Sequence, residues 1–146
     1  MNSMENEYKL AVCIPNYNRS GKLNKLLNAL AQQILENDLD KEVEICISDD
    51  NSPESPDDII NNLKAKYPKV KMTYRKNAEN RGMDYNFLRC VTISSGEYCW
   101  IVGNDDEIEP ESLKTILHYI SDEDIDILVS PFDVYGDDDD FLEHIV

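Results

Sequence analysis

Short apolar runs alternate along this chain with segments whose apolar residues recur every three or four positions. The first pattern is typical of buried strands, and the second is typical of helices that pack one face against a core. The patterns predict strands over 8–14, 43–48, 70–75, 97–102 and 125–132, and helices over 20–34, 56–66, 83–94 and 110–120. This alternation favours an α/β fold with a largely parallel sheet that helices cover on both faces.

Turn-forming residues mark the ends of several elements. We expect Pro15 to stop the first strand and Ser20 to cap the first helix, while Pro56 suits the first turn of the second helix. The acidic run 137–140 is typical of a solvated charge run rather than of a second metal site. The predicted organisation is a disordered segment over 1–7, one folded domain over 8–135 and an acidic C-terminal tail over 136–146.

Polar residues follow three of the predicted parallel strands. Residues 15–18 follow the first strand, Asp49 and Asp50 end the second, and Asp105 and Asp106 come after the fourth. In open parallel sheets, ligands bind beyond the carboxyl ends of the strands. We therefore expect these residues to gather at one edge of the sheet and to form the binding site.

The acidic pair Asp105 and Asp106 predicts a cation site. Adjacent carboxylates repel each other, and they stay ionised at neutral pH where water, a basic group or a metal ion compensates them. Mg²⁺ and Mn²⁺ favour oxygen ligands and are often held by one or two carboxylates together with substrate phosphates. We expect Asp106 to be the main metal ligand and Asp105 to contact a ribose or the metal. A cation held there would stabilise charge on a departing nucleoside diphosphate.

Tyr17, Asp49 and Asp50 predict a nucleoside pocket beside this cation site. A carboxylate can accept a hydrogen bond from a base N–H group, and a tyrosine ring can stack on the base. Asp-Asn-Ser-Pro after the second strand is also a turn by composition, so a turn or a helix cap is the alternative role of the two aspartates.

Charge and cysteine content narrow the possible partners. The 146 residues include 14 Lys and Arg against 30 Asp and Glu, a formal net charge of −16. Such a chain is unsuited to binding nucleic acid or anionic membrane surfaces, and it would need a divalent cation to hold a phosphate ester.

The four cysteines form no CxxC pair and are expected to be buried, reduced and structural. Without a signal peptide or an apolar run of about 18 residues, a cytoplasmic location is expected, and peripheral association with the inner face of a membrane stays open.

The motifs together resemble a known family, the GT-A glycosyltransferases of family 2, which are inverting enzymes that use nucleotide-sugar donors. The resemblance runs from Leu10 to about Phe132 and depends on the order and spacing of several short motifs. These are Cys-Ile-Pro-Asn-Tyr-Asn-Arg over 13–19, Ile-Ser-Asp-Asp-Asn-Ser over 47–52, Asn-Arg-Gly over 80–82 leading to Asn86, Gly-Glu-Tyr over 96–98, and Asn-Asp-Asp over 104–106.

The resemblance implies a Rossmann-like GT-A fold, a nucleotide-sugar donor, Mn²⁺ or Mg²⁺, and a glycan or lipid-linked acceptor, as in bacterial surface polysaccharide synthesis. Residues matching Pro15, Tyr17 and Asp50 contact the nucleotide base in that family, and those matching Asp105 and Asp106 hold ribose, diphosphate and metal. Arg81 and Asn86 are further candidate nucleotide ligands by the same resemblance, with helix capping or packing as their alternative role.

This sequence departs from the family pattern in three respects. Gly103 occupies a position that is commonly Asp in the family's DXD-like motif, and Tyr-Asn-Phe over 85–87 replaces a common Ala-Arg-Asn. The family's acceptor-binding half, which usually carries a carboxylate as catalytic base, has no counterpart here. The sequence therefore predicts the donor-binding portion of a GT-A fold, truncated before the acceptor half, and it identifies no catalytic base.

Two other classes of α/β domain fit this sequence less well. A phospho-receiver domain would need acidic residues after its first strand and a lysine after its fifth, whereas Pro-Asn-Tyr follows the first strand here. A dinucleotide-binding domain would need G-x-G-x-x-G, which follows none of the strands. A noncatalytic or truncated nucleotide-binding module that acts through partners stays open as the alternative to an autonomous enzyme.

Overall fold

The structure is a computed structural model that describes residues 6–122, 124–136 and 138–145. Most of the N-terminal segment that was expected to be disordered, residues 1–5, lies outside the described residues. A four-stranded sheet forms the centre of the protein, and its strands are β1 (Tyr8–Asn16), β2 (Val43–Asp49), β3 (Lys71–Lys76) and β4 (Gly96–Ile101). The strand order is β3-β2-β1-β4, and each neighbouring pair is parallel.

Helices cover both faces of this sheet, as the sequence predicts. They are α1 (Ser20–Glu36), α2 (Asp57–Lys66), α3 (Met83–Thr92) and α4 (Ser112–Asp122). Because successive strand residues point to opposite faces, Leu10, Val12 and Ile14 of β1 belong to the core shared with α1, α2 and α4, whereas Ala11 and Cys13 pack with Cys90 of α3.

Three residues that were predicted to mark the ends of elements occupy other positions. Pro56 does not lie in the first turn of α2 but at its N-cap position, since the helix begins at Asp57. Pro15 does not stop β1, which continues to Asn16 in register with β2. The β1–β4 pairing ends at Cys13, so the missing N–H of Pro15 leaves no gap on that side. Ser20 is not the cap of α1 but its first helical residue, and Arg19 occupies the N-cap position.

The predicted fifth strand over 125–132 was also wrong. The strand that forms is β5 (Phe132–Tyr135), which pairs antiparallel with β6 (Phe141–Ile145) in a separate two-stranded sheet. Ile127 and Val129 are each 81% exposed, because the apolar segment that contains them does not pair with a strand of the central sheet. The turn of this hairpin crosses the expected domain boundary after residue 135, and β6 lies within the segment that was expected to be an acidic tail.

The cysteines are all free, but only three are buried. Cys13, Cys46 and Cys90 are inaccessible to solvent, whereas Cys99 on the edge strand β4 is exposed, so its predicted burial was wrong. Burial raises the pKa of the Cys46 thiol, and a hydrogen bond with Cys13 raises the pKa of Cys99. These thiols therefore stay protonated in the folded protein around neutral pH.

Candidate functional site

The carboxyl ends of the four parallel strands meet at one edge of the sheet, and backbone hydrogen bonds join the segments that follow them. The Asp50 amide donates to the Asn16 carbonyl at 3.0 Å, the Asn77 amide to the Asp49 carbonyl at 2.8 Å, and the Val102 amide to the Cys13 carbonyl at 3.0 Å. The edge therefore has a defined shape before any ligand binds.

Buried side chains extend this connection from β4 to β2. The Asn104 side-chain amide donates to Oδ1 of Asn16 at 2.8 Å, and Nδ2 of Asn16 donates to Oδ1 of Asp49 at the same distance. All three residues are at most 8% exposed. Because buried polar groups that are fully hydrogen-bonded rigidify their surroundings, this chain of contacts fixes the acidic turn after β4 relative to β1 and β2.

A second group of buried amides connects α3 and the loop after β3 to the same edge. Nδ2 of Asn86 donates to the carbonyl oxygens of Ser48 at 2.9 Å and Asn16 at 3.2 Å. Nδ2 of Asn77 in turn donates to Oδ1 of Asp50 at 3.0 Å. The predicted ligand Asn86 is buried and holds the ends of β1 and β2 together, which is a structural role.

Asp49 is fully buried and is engaged by neighbouring groups of the chain. Its carboxylate accepts hydrogen bonds from Nδ2 of Asn16 and from both the backbone amide and the hydroxyl of Ser52. A carboxylate offers about four acceptor positions, so three of them are already used. The geometry corresponds to the turn that composition offered as the alternative role for this aspartate.

Asp50 shapes the loop over 77–82. Its two carboxylate oxygens accept the backbone amides of Arg81 and Gly82, each at 2.9 Å, in addition to the Asn77 side chain. Gly82 has a φ of +88°, a conformation that other residues rarely adopt, and it precedes α3. The Arg81 guanidinium lies 4.1 Å from the centre of the Tyr85 ring, which places a cation–π pair on this loop.

Tyr17 lies on the loop between β1 and α1 and is 46% exposed. The next residue, Asn18, has a φ of 52° and donates its backbone amide to the Ser52 hydroxyl at 2.8 Å. This contact connects the Tyr17 loop to the turn after β2. The tyrosine ring is consequently accessible while its backbone is held in place, which suits a stacking surface.

Asp105 and Asp106 lie on a tight turn after β4. The Asp106 amide donates to the Gly103 carbonyl at 3.1 Å, and the Gly103 amide donates to Oδ2 of Asp106 at 2.8 Å. A Cβ atom at position 103 would lie 3.0 Å from Oδ2 of Asp106 and 3.2 Å from Oδ1 of Asp105. The glycine thus gives both carboxylates room to fold back over the turn.

Two ion pairs connect this acidic turn to the first turns of α1. Arg19 pairs through Nη1 with Oδ2 of Asp105, and Lys25 pairs through Nζ with Oε1 of Glu107. Both pairs are exposed, and the contact with Glu107 raises the pKa of Lys25. Exposed pairs of this kind contribute little to stability, so they can be exchanged for other partners at low cost.

The acidic turn fits a divalent cation whose remaining ligands come from elsewhere. Within residues 6–122, 124–136 and 138–145, no group of three or more His, Cys, Asp or Glu side chains is arranged as a metal site. Asp105 and Asp106 nevertheless supply two adjacent, accessible carboxylates. Mg²⁺ is typically held by one or two carboxylates with substrate phosphates and water completing its shell.

The structure brings the predicted site residues to the same edge of the sheet but gives them different surroundings. Tyr17, Asp105 and Asp106 are accessible, whereas Asp49, Asp50 and Asn86 are buried. Asn16 was expected at this edge as one of residues 15–18, but its role in connecting the strand ends was not predicted. Asn77, Asn104 and Arg19 were not predicted as site residues. The one shared sequence signal is that Asn16, Asn77 and Asn104 each lie two positions after the end of a predicted strand.

In the part of the chain that the structure describes, no helix is long and apolar enough to cross a membrane.

Comparison with known proteins gives a family and a set of relatives. The family model described as Glycosyl transferase family 2 matches residues 11–145. The abequosyltransferase RfbV of Salmonella typhimurium is 37% identical over 111 residues, which cover 76% of this chain and 32% of the relative. The poly(ribitol-phosphate) β-glucosyltransferase of Bacillus spizizenii is 35% identical over 106 residues, which cover 72% of this chain and 16% of the relative.

Solved structures give the same fold. The mannosyltransferase PcManGT of Pyrobaculum calidifontis, solved with GDP-Man and Mn²⁺, superposes with a TM-score of 0.68 at 18% identity, covering 78% of this chain and 32% of the other. TarS 1–349 of S. aureus, solved with UDP, gives a TM-score of 0.66 at 28% identity, covering 77% and 32%. The chain thus spans about a third of the length of these two structures. By family match, relatives and topology, the chain belongs to glycosyl transferase family 2 and forms a portion of the GT-A fold.

Proposed function

We propose that this chain binds the nucleotide-sugar donor of a glycosyltransferase through Mn²⁺ or Mg²⁺ held by Asp105 and Asp106. The whole protein would transfer the sugar to a glycan or lipid-linked acceptor in bacterial surface polysaccharide synthesis. The observation that carries the proposal is one edge of the sheet where an accessible aromatic ring, Tyr17, and an accessible pair of carboxylates are held by the same buried amide network.

The division of roles follows from the surroundings of each residue. Tyr17 would stack on the base, because its ring is accessible and its loop is fixed. Asp50 would contact the base through its one remaining acceptor position, since three donors of the chain already use the others. Asp49 and Asn86 would act on the ligand only by positioning their neighbours. Pro15 would line the pocket through its place near the end of β1.

Asp105 and Asp106 would hold the metal together with the diphosphate. A bound divalent cation would supply electrostatic stabilisation of the negative charge on the departing nucleoside diphosphate. The neighbours support this part by analogy, since PcManGT was solved with GDP-Man and Mn²⁺ and TarS with UDP. Arg81, which lies over the Tyr85 ring at the same edge, would add positive charge for the donor.

The proposal also covers the acceptor of the sugar and the cellular location of the protein. Relatives named as an abequosyltransferase and as a poly(ribitol-phosphate) β-glucosyltransferase support a bacterial polysaccharide as acceptor. Four free cysteines, one of them exposed, fit a reducing compartment, and we propose the cytoplasm at or near the inner face of the membrane. The catalytic base would lie in the portion of the relatives that this chain does not match.

A thermal-shift panel tests the proposal on the chain itself. UDP, GDP, CDP, ADP and dTDP are each added with Mn²⁺ and with EDTA, and at least one is expected to raise the melting temperature only with the metal. Asp106→Asn should abolish this shift, whereas Glu109→Gln, which removes a nearby charge outside the turn, should preserve it. If the folded chain binds none of the five nucleotides with Mn²⁺, the proposal is wrong.

A further inference from the structure

Arg19 lies between the two halves of the proposed donor site. It follows the Tyr17 loop, occupies the N-cap position of α1, and places its guanidinium against the carboxylate of Asp105. The guanidinium therefore lies where a metal ion would bind in the proposed function. Its side chain is 51% exposed, so the contact is open to ligands from solvent.

The surroundings of Arg19 are positive in a strongly acidic protein. The chain carries a net charge of −16, yet Arg19, Lys22 and Lys25 are the only charged residues over 19–25. The first turn of α1 contains no acidic residue, and the partial positive charge of the helix N-terminus adds to the three cations. The positive start of α1 therefore faces the acidic turn, with ion pairs at Asp105 and Glu107.

This arrangement suits a ligand that has a cation on one side and an anion on the other. A divalent cation bound to a diphosphate has both properties, because the metal neutralises the carboxylates while the outer phosphate oxygens remain negative. A guanidinium is always protonated near neutral pH and matches phosphate oxygens with two parallel N–H groups.

We propose that Arg19 takes the place of the metal when no ligand is bound and then transfers to the diphosphate. In the unliganded chain it neutralises the carboxylate of Asp105. When the metal-bound nucleotide arrives, the cation replaces Arg19 on Asp105, and the guanidinium binds a phosphate oxygen. This role rests on the proposed function. It makes Arg19 a competitor of the metal for Asp105 and, once the metal is bound, a ligand of the nucleotide.

The exchange predicts effects of opposite sign for one substitution. Arg19→Gln removes a competitor for Asp105, so Mn²⁺ alone should bind about two- to fivefold more tightly, in line with the modest strength of exposed ion pairs. The same substitution removes a charged hydrogen bond to the diphosphate. The nucleoside diphosphate should then bind about tenfold more weakly in saturating Mn²⁺.

The experiment measures both affinities on the same set of variants. Free Mn²⁺ is followed by electron paramagnetic resonance, and the affinity for UDP, GDP, CDP, ADP and dTDP is measured by calorimetry in saturating Mn²⁺. Lys25→Gln is the matched control, because it removes the same charge from the neighbouring pair with Glu107 and should not produce opposite effects. Arg19→Lys, which keeps the charge but lacks the two parallel N–H groups, should restore part of the nucleotide affinity that Arg19→Gln loses.

The outcomes separate this inference from the proposed function. If the wild-type chain binds a nucleotide with Mn²⁺ and Arg19→Gln leaves both affinities unchanged or moves them in the same direction, the exchange is disproved and the donor site stands. Opposite shifts that Lys25→Gln reproduces would also overturn it, since overall charge would then explain them. Absence of any metal-dependent nucleotide binding in the folded wild type overturns both proposals.

Discussion

Asn104 donates its side-chain amide to Oδ1 of Asn16 at 2.8 Å, and both residues are buried at the carboxyl edge of the sheet. This one hydrogen bond connects the acidic turn after β4 to the end of β1, from which the Tyr17 loop begins. The two functional halves of the proposed donor site, the metal ligands and the stacking ring, therefore share a rigid connection.

Asn104→Ala is expected to weaken nucleotide binding as well as stability. It leaves the buried Oδ1 of Asn16 without its donor, which should lower the free energy of unfolding by about 1–3 kcal/mol. Calorimetry at a temperature where the variant is fully folded should also show weaker metal-dependent nucleotide binding. Asn62→Ala, at an exposed position of α2, is the control: it should leave nucleotide affinity unchanged, and because alanine favours the helix it should not lower the free energy of unfolding. Unchanged nucleotide affinity in folded Asn104→Ala would show that the link does not position the site.

The neighbouring aspartates should separate stability from binding. Asp49→Asn replaces a buried carboxylate that accepts three hydrogen bonds, and it should lower the free energy of unfolding by about 2 kcal/mol. Asp106→Asn, on the exposed turn, should leave urea denaturation nearly unchanged while it weakens metal-dependent nucleotide binding. Comparable losses of stability in the two variants would argue against this separation.

The glycines provide a matched test of packing. A Cβ atom at Gly96 would lie 2.5 Å from the Ala11 backbone nitrogen, so Gly96→Ala must displace β4 from β1. We expect a loss of roughly 1–3 kcal/mol in thermal or urea unfolding. Gly21→Ala lies within α1 with open space around the added atom, and it should instead stabilise the protein by about 0.5–1 kcal/mol. Equal effects at the two positions would contradict the described packing of β4 against β1.

The raised pKa values of the cysteines predict loss of stability at alkaline pH. Burial holds the pKa of Cys46 above its ordinary 9.0. The hydrogen bond that Cys13 donates to Cys90 raises the pKa of Cys13, and a hydrogen bond with Cys13 raises that of Cys99. Below pH 9 the folded and unfolded states both keep these protons, but above it only the unfolded state releases them. The free energy of unfolding should therefore fall as pH rises above 9.

Cys46→Ala should make this decline shallower. Removing one thiol should reduce the limiting slope of the free energy of unfolding against pH by about 1.4 kcal/mol per pH unit. This change of slope does not depend on the stability of the variant at neutral pH. Urea denaturation between pH 8 and pH 10.5 gives the slopes of both proteins. If the two slopes are identical, the Cys46 thiol does not resist ionisation in the folded state.

The sequence predicted the central sheet and its helices well, because their apolar patterns are local. β2 was expected over 43–48 and extends over Val43–Asp49, and α3 was expected over 83–94 and extends over Met83–Thr92. The prediction failed over 125–132, where an equally apolar run stays outside the central sheet. Hydrophobicity shows that a segment can be buried but not whether a neighbouring strand is present to bury it.

The candidate site was predictable in position but not in its internal connections. Adjacent carboxylates such as Asp105 and Asp106 are conspicuous in a sequence, and strand topology places them at the sheet edge. The hydrogen bond between Asn104 and Asn16, by contrast, joins residues 88 positions apart. A single asparagine belongs to no sequence pattern that would indicate which residue it contacts. The burial of Asp49 and Asn86 likewise depends on three segments meeting in space.

The most direct test of the central claim is a calorimetric titration of the folded chain with the nucleoside diphosphate that the thermal-shift panel selects. The proposed donor site predicts binding in Mn²⁺, loss of binding in EDTA, and loss of binding in Asp106→Asn at unchanged stability. Equal affinity in all three titrations would contradict metal-dependent donor binding at Asp105 and Asp106.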